Sequence, residues 1–224
     1  MPAQFSDNVG KFATVEVRKG EKASLRCPAH GDHPLQVKWF HEKQEIDFAK
    51  SLRHEHFETK TDRGLTSELV ISGSDRSDSG LYSCVVKNDH GQVDRTTKLV
   101  VQEVPEAPGD IGVPNKWPRS ASVKWSPPYN GNSPIVNYVL YFWKNDKSLD
   151  VNRKLNEIQL DASKATYTLT QLQPGSHYAI TVAAVNAIGS SAPSKAVTFY
   201  TTEEGKKAAL TNENFFVDKS IFFS

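Results

Sequence analysis

Between residues 12 and 102, apolar side chains recur at every second position in short runs, the period of half-buried strands. In ATVEVRKGEKASLRC, Val15 and Val17 share one face, a glycine-bearing turn follows, and Ala23, Leu25 and Cys27 share the next. Val37 and Trp39 alternate with Lys38 and Phe40. Leu69 and Ile71 form a further inward set, then Tyr82, Cys84 and Val86, then Leu99 and Val101. No segment carries a convincing helical period. Short strands separated by regular turns predict an all-β sandwich.

The second half repeats the style with other landmarks. Ala121, Val123 and Trp125 share a face, as do Tyr138, Leu140 and Phe142, with Val139, Tyr141 and Trp143 opposite. Tyr178, Ile180, Val182 and Ala184 face inward, and Val197 and Phe199 close the pattern. This half has no cysteine, so its apolar core must hold it alone. Between the halves lies Glu103-Val-Pro-Glu-Ala-Pro108, whose Pro105 and Pro108 cannot donate ladder hydrogen bonds and bias the preceding residues toward extended backbone. This is the seam. It is short and stiff rather than a Gly/Ser tether, and Val104 and Pro105 are expected to pack at the interface. The division reads as 5–102 and 103–204, with 205–224 a tail of unassigned role.

A chain of 224 residues accommodates two domains of about 100 residues. Lys plus Arg number 27 against 26 for Asp plus Glu, a formal net charge of +1. That balance lacks the basic footprint of a nucleic-acid binder and the polybasic segment of a membrane-surface protein. No run reaches the roughly 18 apolar residues that span a bilayer, and MPAQFSDNVG has neither the basic nor the apolar part of a signal peptide. The single methionine, Met1, reads as the start of an excised piece. Cys27 and Cys84 are the two cysteines, and taken alone they permit free thiols, a redox pair or one disulfide.

Context narrows that choice. Cys27, Trp39 and Asp78-Ser-Gly-Leu-Tyr-Ser-Cys84 resemble the immunoglobulin signature. The resemblance implies a disulfide between facing strands, with Trp39 packed on it and Tyr82 making a corner hydrogen bond. A bridge closing so long a loop contributes about 4 kcal/mol in the chain-entropy view. Gly80 suits a tight turn. Asp78 would be a costly half-buried charge without a partner, and Arg53 is the expected one. The second half resembles a fibronectin type III domain through Trp125 in VKWSPP, GNSPIVNYVLYF and LQPGSHY, with Tyr178 as its corner tyrosine and Asn186-Ala-Ile-Gly189 opening the F–G loop. The expected fold is therefore two tandem β-sandwiches, an I-set immunoglobulin-like one followed by a fibronectin type III one.

GEKASLRCPAHGDHPLQVKW, GLTSELVI, RSDSGLYSC, the junction VQEVPEAP and the following PYNGNSPI together resemble the Down syndrome cell adhesion molecule (Dscam) family. The match falls where its last consecutive immunoglobulin domain meets its first fibronectin domain, and the shortened arthropod forms of the family are one expected parent. It covers about residues 5–204, and GKKAALTNENFFVDKSIFFS departs from the pattern. The resemblance implies a cell-surface or secreted adhesion receptor of neurons or immune cells, its parent a single-pass protein on the extracellular side of the plasma membrane, with protein partners, homophilic in cis or trans. The alternative is an intracellular structural module of a giant muscle protein, which would keep the cysteines reduced.

No phosphate loop, dinucleotide fingerprint, nucleophile elbow or HExxH zinc motif occurs, so neither enzyme chemistry, a cofactor nor a small-molecule substrate is expected. His54 and His56 alternate onto one strand face, and His30 and His33 flank a loop. Without thiolates they read as surface histidines rather than a zinc site. The N-x-S/T acceptor for N-glycosylation is absent. Val139, Tyr141 and Trp143, joined by Tyr200, are expected to face solvent over small neighbours (Ala179, Thr181, Ala183). Such a face is a candidate protein contact.

Overall fold

The computed structural model describes residues 1–5, 10–145 and 155–205. Among the described residues the alternating runs become sixteen strands. The first nine are β1 (Gln4–Phe5), β2 (Phe12–Arg18), β3 (Ala23–His30), β4 (Gln36–His41), β5 (Gln44–Glu45), β6 (His54–Thr61), β7 (Gly64–Ile71), β8 (Gly80–Asn88) and β9 (Gly91–Gln102). They form a four-stranded sheet, β1-β3-β7-β6, and a five-stranded sheet, β2-β9-β8-β4-β5. All pairings are antiparallel except β2 with β9, which run parallel from Phe12/Thr96 to Arg18/Gln102. Leu25, Trp39, Leu69, Ile71, Tyr82, Val86 and Leu99 are all buried between these two sheets.

The remaining strands are β10 (Gly109–Lys116), β11 (Ala121–Ser126), β12 (Ile135–Lys144), β13 (Asn156–Asp161), β14 (Thr166–Leu169), β15 (His177–Asn186) and β16 (Val197–Tyr200). They give a three-stranded sheet, β10-β11-β14, facing a four-stranded one, β13-β12-β15-β16. The core holds Val123, Trp125, Tyr138, Leu140, Leu169, Ile180, Val182 and Phe199. Trp125 meets Tyr138 edge-on, with ring centroids 5.5 Å apart. An edge-to-face pair adds to the area both rings bury.

Each cross-brace has a local cause. Cys27 on β3 and Cys84 on β8 are joined by a disulfide between the two sheets. Trp39 is buried beside it and donates its Nε1–H to Ser67 Oγ at 2.8 Å. His56 Nε2 lies 2.7 Å from the same oxygen, and its ring stacks on Phe48. His54 contacts Ser51 Oγ through Nδ1. Both histidines are therefore half-buried in the sandwich, which corrects the expectation of surface residues. Burial pulls the His54 pKa below its ordinary value, and the Arg53 cation and His41 act in the same direction against Asp78. No metal-capable group of three His, Cys, Asp or Glu side chains occurs among the described residues.

A 3-10 turn, Arg76–Asp78, precedes β8 and is capped by Asp75. Asp78 is buried, accepts the Asp75 N–H at 2.8 Å, and takes both Arg53 guanidinium nitrogens at 2.9 and 2.7 Å. Tyr82 donates its hydroxyl to the Asp78 carbonyl at 2.9 Å. Gly80 answers a close approach rather than a turn: a Cβ there would come within 2.6 Å of the Glu42 carboxylate and 2.8 Å of the His41 ring. In the second sandwich the Tyr178 hydroxyl accepts the Gln173 N–H at 2.9 Å.

Candidate functional site

The densest polar constellation lies where β9 leaves the first sandwich. Every polar atom of Glu103 is engaged. Its N–H donates to the Gly131 carbonyl at 2.9 Å, and its own carbonyl accepts Asn186 Nδ2 at 2.8 Å. Its carboxylate accepts Arg76 Nε at 2.8 Å and Lys19 Nζ at 2.7 Å. The Lys19 and Arg76 bonds hold the Glu103 pKa below the usual carboxylate range, against partial burial. Arg76 also donates to Glu106 at 2.9 Å and lies 3.7 Å above the centre of the Tyr129 ring, a cation–π contact.

The second sandwich grips this stretch with the loop between β11 and β12. The Tyr129 carbonyl accepts the Glu106 N–H at 3.0 Å. Asn132, with φ of 56°, sends its Nδ2 across the seam to the Val101 carbonyl at 2.9 Å and more weakly to Ser79 Oγ at 3.4 Å. Gly131 between them is buried, and its φ is 69°. A Cβ at this position would overlap the Glu103 carbonyl oxygen. Only glycine permits both the left-handed backbone and that approach. Asn186, the last residue of β15, donates also to the Asn130 carbonyl at 2.9 Å.

The two residues expected at the interface divide. Pro105 is buried, while Val104 is 42 % exposed, with Cγ1 lying over Gly189. The seam is held by amides and an ion cluster, so an apolar side chain there has little to bury against. That corrects the expectation for Val104. The residues that do hold it are Lys19, Arg76, Asn132 and Asn186. The motifs YNGNSPI and Asn186-Ala-Ile-Gly189 display two of these residues, Asn132 and Asn186, but their partners Val101 and Glu103 lie 31 and 83 positions away.

The outer face of β12 also departs from expectation. Val139 is 6 % exposed, and its neighbours Ala179, Thr181 and Ala183 are buried. Register explains this: Val139 lies opposite Ala183, Tyr141 opposite Thr181 and Trp143 opposite Ala179. The larger side chains lean over the small ones, leaving Tyr141 and Trp143 half-buried. Val139 is thus no solvent-facing contact. Tyr200 is, at 64 % exposed, with its ring stacked on His177 at 4.2 Å.

Comparison with known proteins agrees with this architecture. The immunoglobulin I-set domain model matches residues 8–101, and the fibronectin type III domain model matches residues 106–200. The fruit fly protein Cell adhesion molecule Dscam1 is 34 % identical over 203 residues, covering 91 % of this chain and 10 % of that protein. Human Cell adhesion molecule DSCAM is 30 % identical over 190 residues, covering 85 % of this chain and 9 % of its own length. The chain thus spans about a tenth of these relatives. Among solved structures, domains A168–A170 of titin are similar at 25 % identity with a TM-score of 0.50, over 91 % of this chain and 67 % of that one.

Proposed function

The chain belongs to the Dscam family, and from that premise we propose that it is a non-catalytic segment of a cell-surface adhesion receptor that sets the angle between two consecutive domains. The observation that carries this reading is the complete engagement of Glu103 by both sandwiches. A flexible spacer needs no such set of bonds. A joint that must present distant domains at a defined angle does. On this reading the domain boundary falls between Gln102 and Glu103, and 205–224 is a tail of unassigned role. Partners are proteins, and homophilic contact on the extracellular side of the membrane fits the family. Individually weak contacts would add up through the effective concentration of receptors on one surface. Tyr200 with His177, flanked by Tyr141 and Trp143, is the contact face this segment offers.

The intracellular alternative shares the titin-like architecture but requires Cys27 and Cys84 reduced. The similarity to cell adhesion molecules over most of the chain favours the receptor reading. A bead-aggregation assay on the full receptor tests the proposal. Replacing this pair by a flexible linker of equal span should lower aggregation, and undiminished aggregation would remove the spacing role.

A further inference from the structure

The opposite pole of the second sandwich carries a groove of about 560 Å³ lined by Trp117, Pro118, Arg119, Ser120, Thr168 and Glu204. Its main apolar surface is Trp117, 46 % exposed in the turn between β10 and β11. The groove is built rather than incidental. Trp117 N–H donates to the Ser120 carbonyl at 2.9 Å, and the Arg119 carbonyl accepts the Leu172 N–H at 3.0 Å. Arg119 then holds Glu204 through Nε and Nη2 at 2.5 and 3.1 Å. This two-pronged pair fixes the outgoing chain as one wall of the groove, one residue before the described part ends.

After Gly205 the composition of the chain changes. Residues 206–224 lie outside the described residues, and their sequence holds Phe215, Phe216, Ile221, Phe222 and Phe223. We propose that this segment of the same chain occupies the Trp117 groove. Two considerations select it over other occupants. The first is reach: a random-coil chain as long as the stretch from Gly205 to Phe215 has an end-to-end distance of about 17 Å. A ten-residue strand such as β15 is about 33 Å long, so the exit pole lies within that coil distance, whereas Phe215 meets the seam pole only when the chain is almost fully extended. The second is tethering. A segment attached beside its site experiences a local concentration on the order of millimolar, enough for a shallow apolar groove to fill. Docking here would cover Trp117 and the five apolar side chains together.

The full chain labelled at tryptophan indole nitrogens tests this, because Trp39, Trp117, Trp125 and Trp143 give four separate signals and Trp117→Phe assigns the one in question. A soluble gadolinium chelate should broaden the Trp117 signal weakly in the unsubstituted chain. Broadening should rise severalfold in full-length Phe215→Ser/Phe216→Ser or in Ile221→Ser/Phe222→Ser/Phe223→Ser. Unchanged signals from the buried Trp39 and Trp125 report that each variant is folded. Should a variant misfold, proximity contacts between the Trp117 indole and labelled phenylalanine rings in the unsubstituted chain decide the matter. Equal broadening in all three chains, with no such contacts, overturns the proposal. Protection that disappears on dilution also overturns it, since the occupant would then be a second copy.

Discussion

Asn88 and Asn186 hold equivalent places in the two sandwiches. Each ends a strand inside its sheet, β8 paired with β4 and β15 paired with β12. Each donates Nδ2 to one carbonyl of the incoming chain and one of the loop preceding β4 or β12: Met1 and Asp32 for Asn88, Glu103 and Asn130 for Asn186. Each Oδ1 accepts two backbone N–H groups, those of Ala3 and His90 in one case and Ile188 and Gly189 in the other. Both stand in the pattern N-x-x-G, as Asn88-Asp-His-Gly91 and Asn186-Ala-Ile-Gly189. A single amide thus ties three segments together wherever the chain enters a sandwich.

Asn186→Ala leaves two carbonyls and two N–H groups to find water or nothing, in a place where Asn186 itself is 4 % exposed. A loss of about 2–3 kcal/mol is expected, together with looser seating of Glu103. Urea denaturation followed through the second sandwich measures the first. Hydrogen exchange of the Glu103 amide measures the second.

Arg53→Met removes both guanidinium bonds from Asp78, whose side chain is 5 % exposed. The Asp75 N–H still serves the carboxylate, and Arg53 is itself partly solvated. The expected loss is therefore about 2–3 kcal/mol, at or below the lower end for breaking a buried pair. Thermal denaturation of the variant, compared with the double variant Arg53→Met/Asp78→Asn, should show the second change recovering part of it.

His54 has a pKa lowered mainly by burial from its ordinary 6.5. In the window below 6.5 the unfolded chain binds more protons at this site than the folded one. Stability is therefore fully present above that value and declines as pH falls toward the folded pKa. Denaturation midpoints of the first sandwich between pH 7.5 and 5 should fall, and His54→Gln should flatten the slope.

Cys27→Ser/Cys84→Ser opens a loop with a sequence separation of 57 residues. The first sandwich should lose about 4 kcal/mol, whereas the second, held by its apolar core alone, should unfold at its original midpoint. Calorimetry resolving the two transitions checks both statements.

The strand pattern was legible because both sandwiches bury one face of most strands, and burial on one side writes itself as alternation. The first sandwich's braces were equally legible. Cys84, Tyr82 and Asp78 lie within seven positions, and their resemblance to the immunoglobulin signature implies that they share one corner. Arg53 could be paired with Asp78 only through a known pattern. The joint was not legible, because Asn132 and Asn186 look like ordinary turn residues until Val101 and Glu103 are brought beside them. Val139 misled for another reason: alternation assigns a face, but exposure on that face depends on the size of cross-strand neighbours. Small residues at 179, 181 and 183 let the larger ones close over them.

The central claim is that the two sandwiches keep one relative orientation because Gly131, Asn132 and Asn186 lock the stretch from Val101 to Glu103. Residual dipolar couplings measured for both sandwiches in one aligned sample test it most directly. A single alignment tensor should fit both in the native chain. Gly131→Ala, which forces a Cβ into the Glu103 carbonyl, should split it into two tensors of unequal magnitude while each sandwich stays folded. Two unequal tensors already in the native chain would contradict the account.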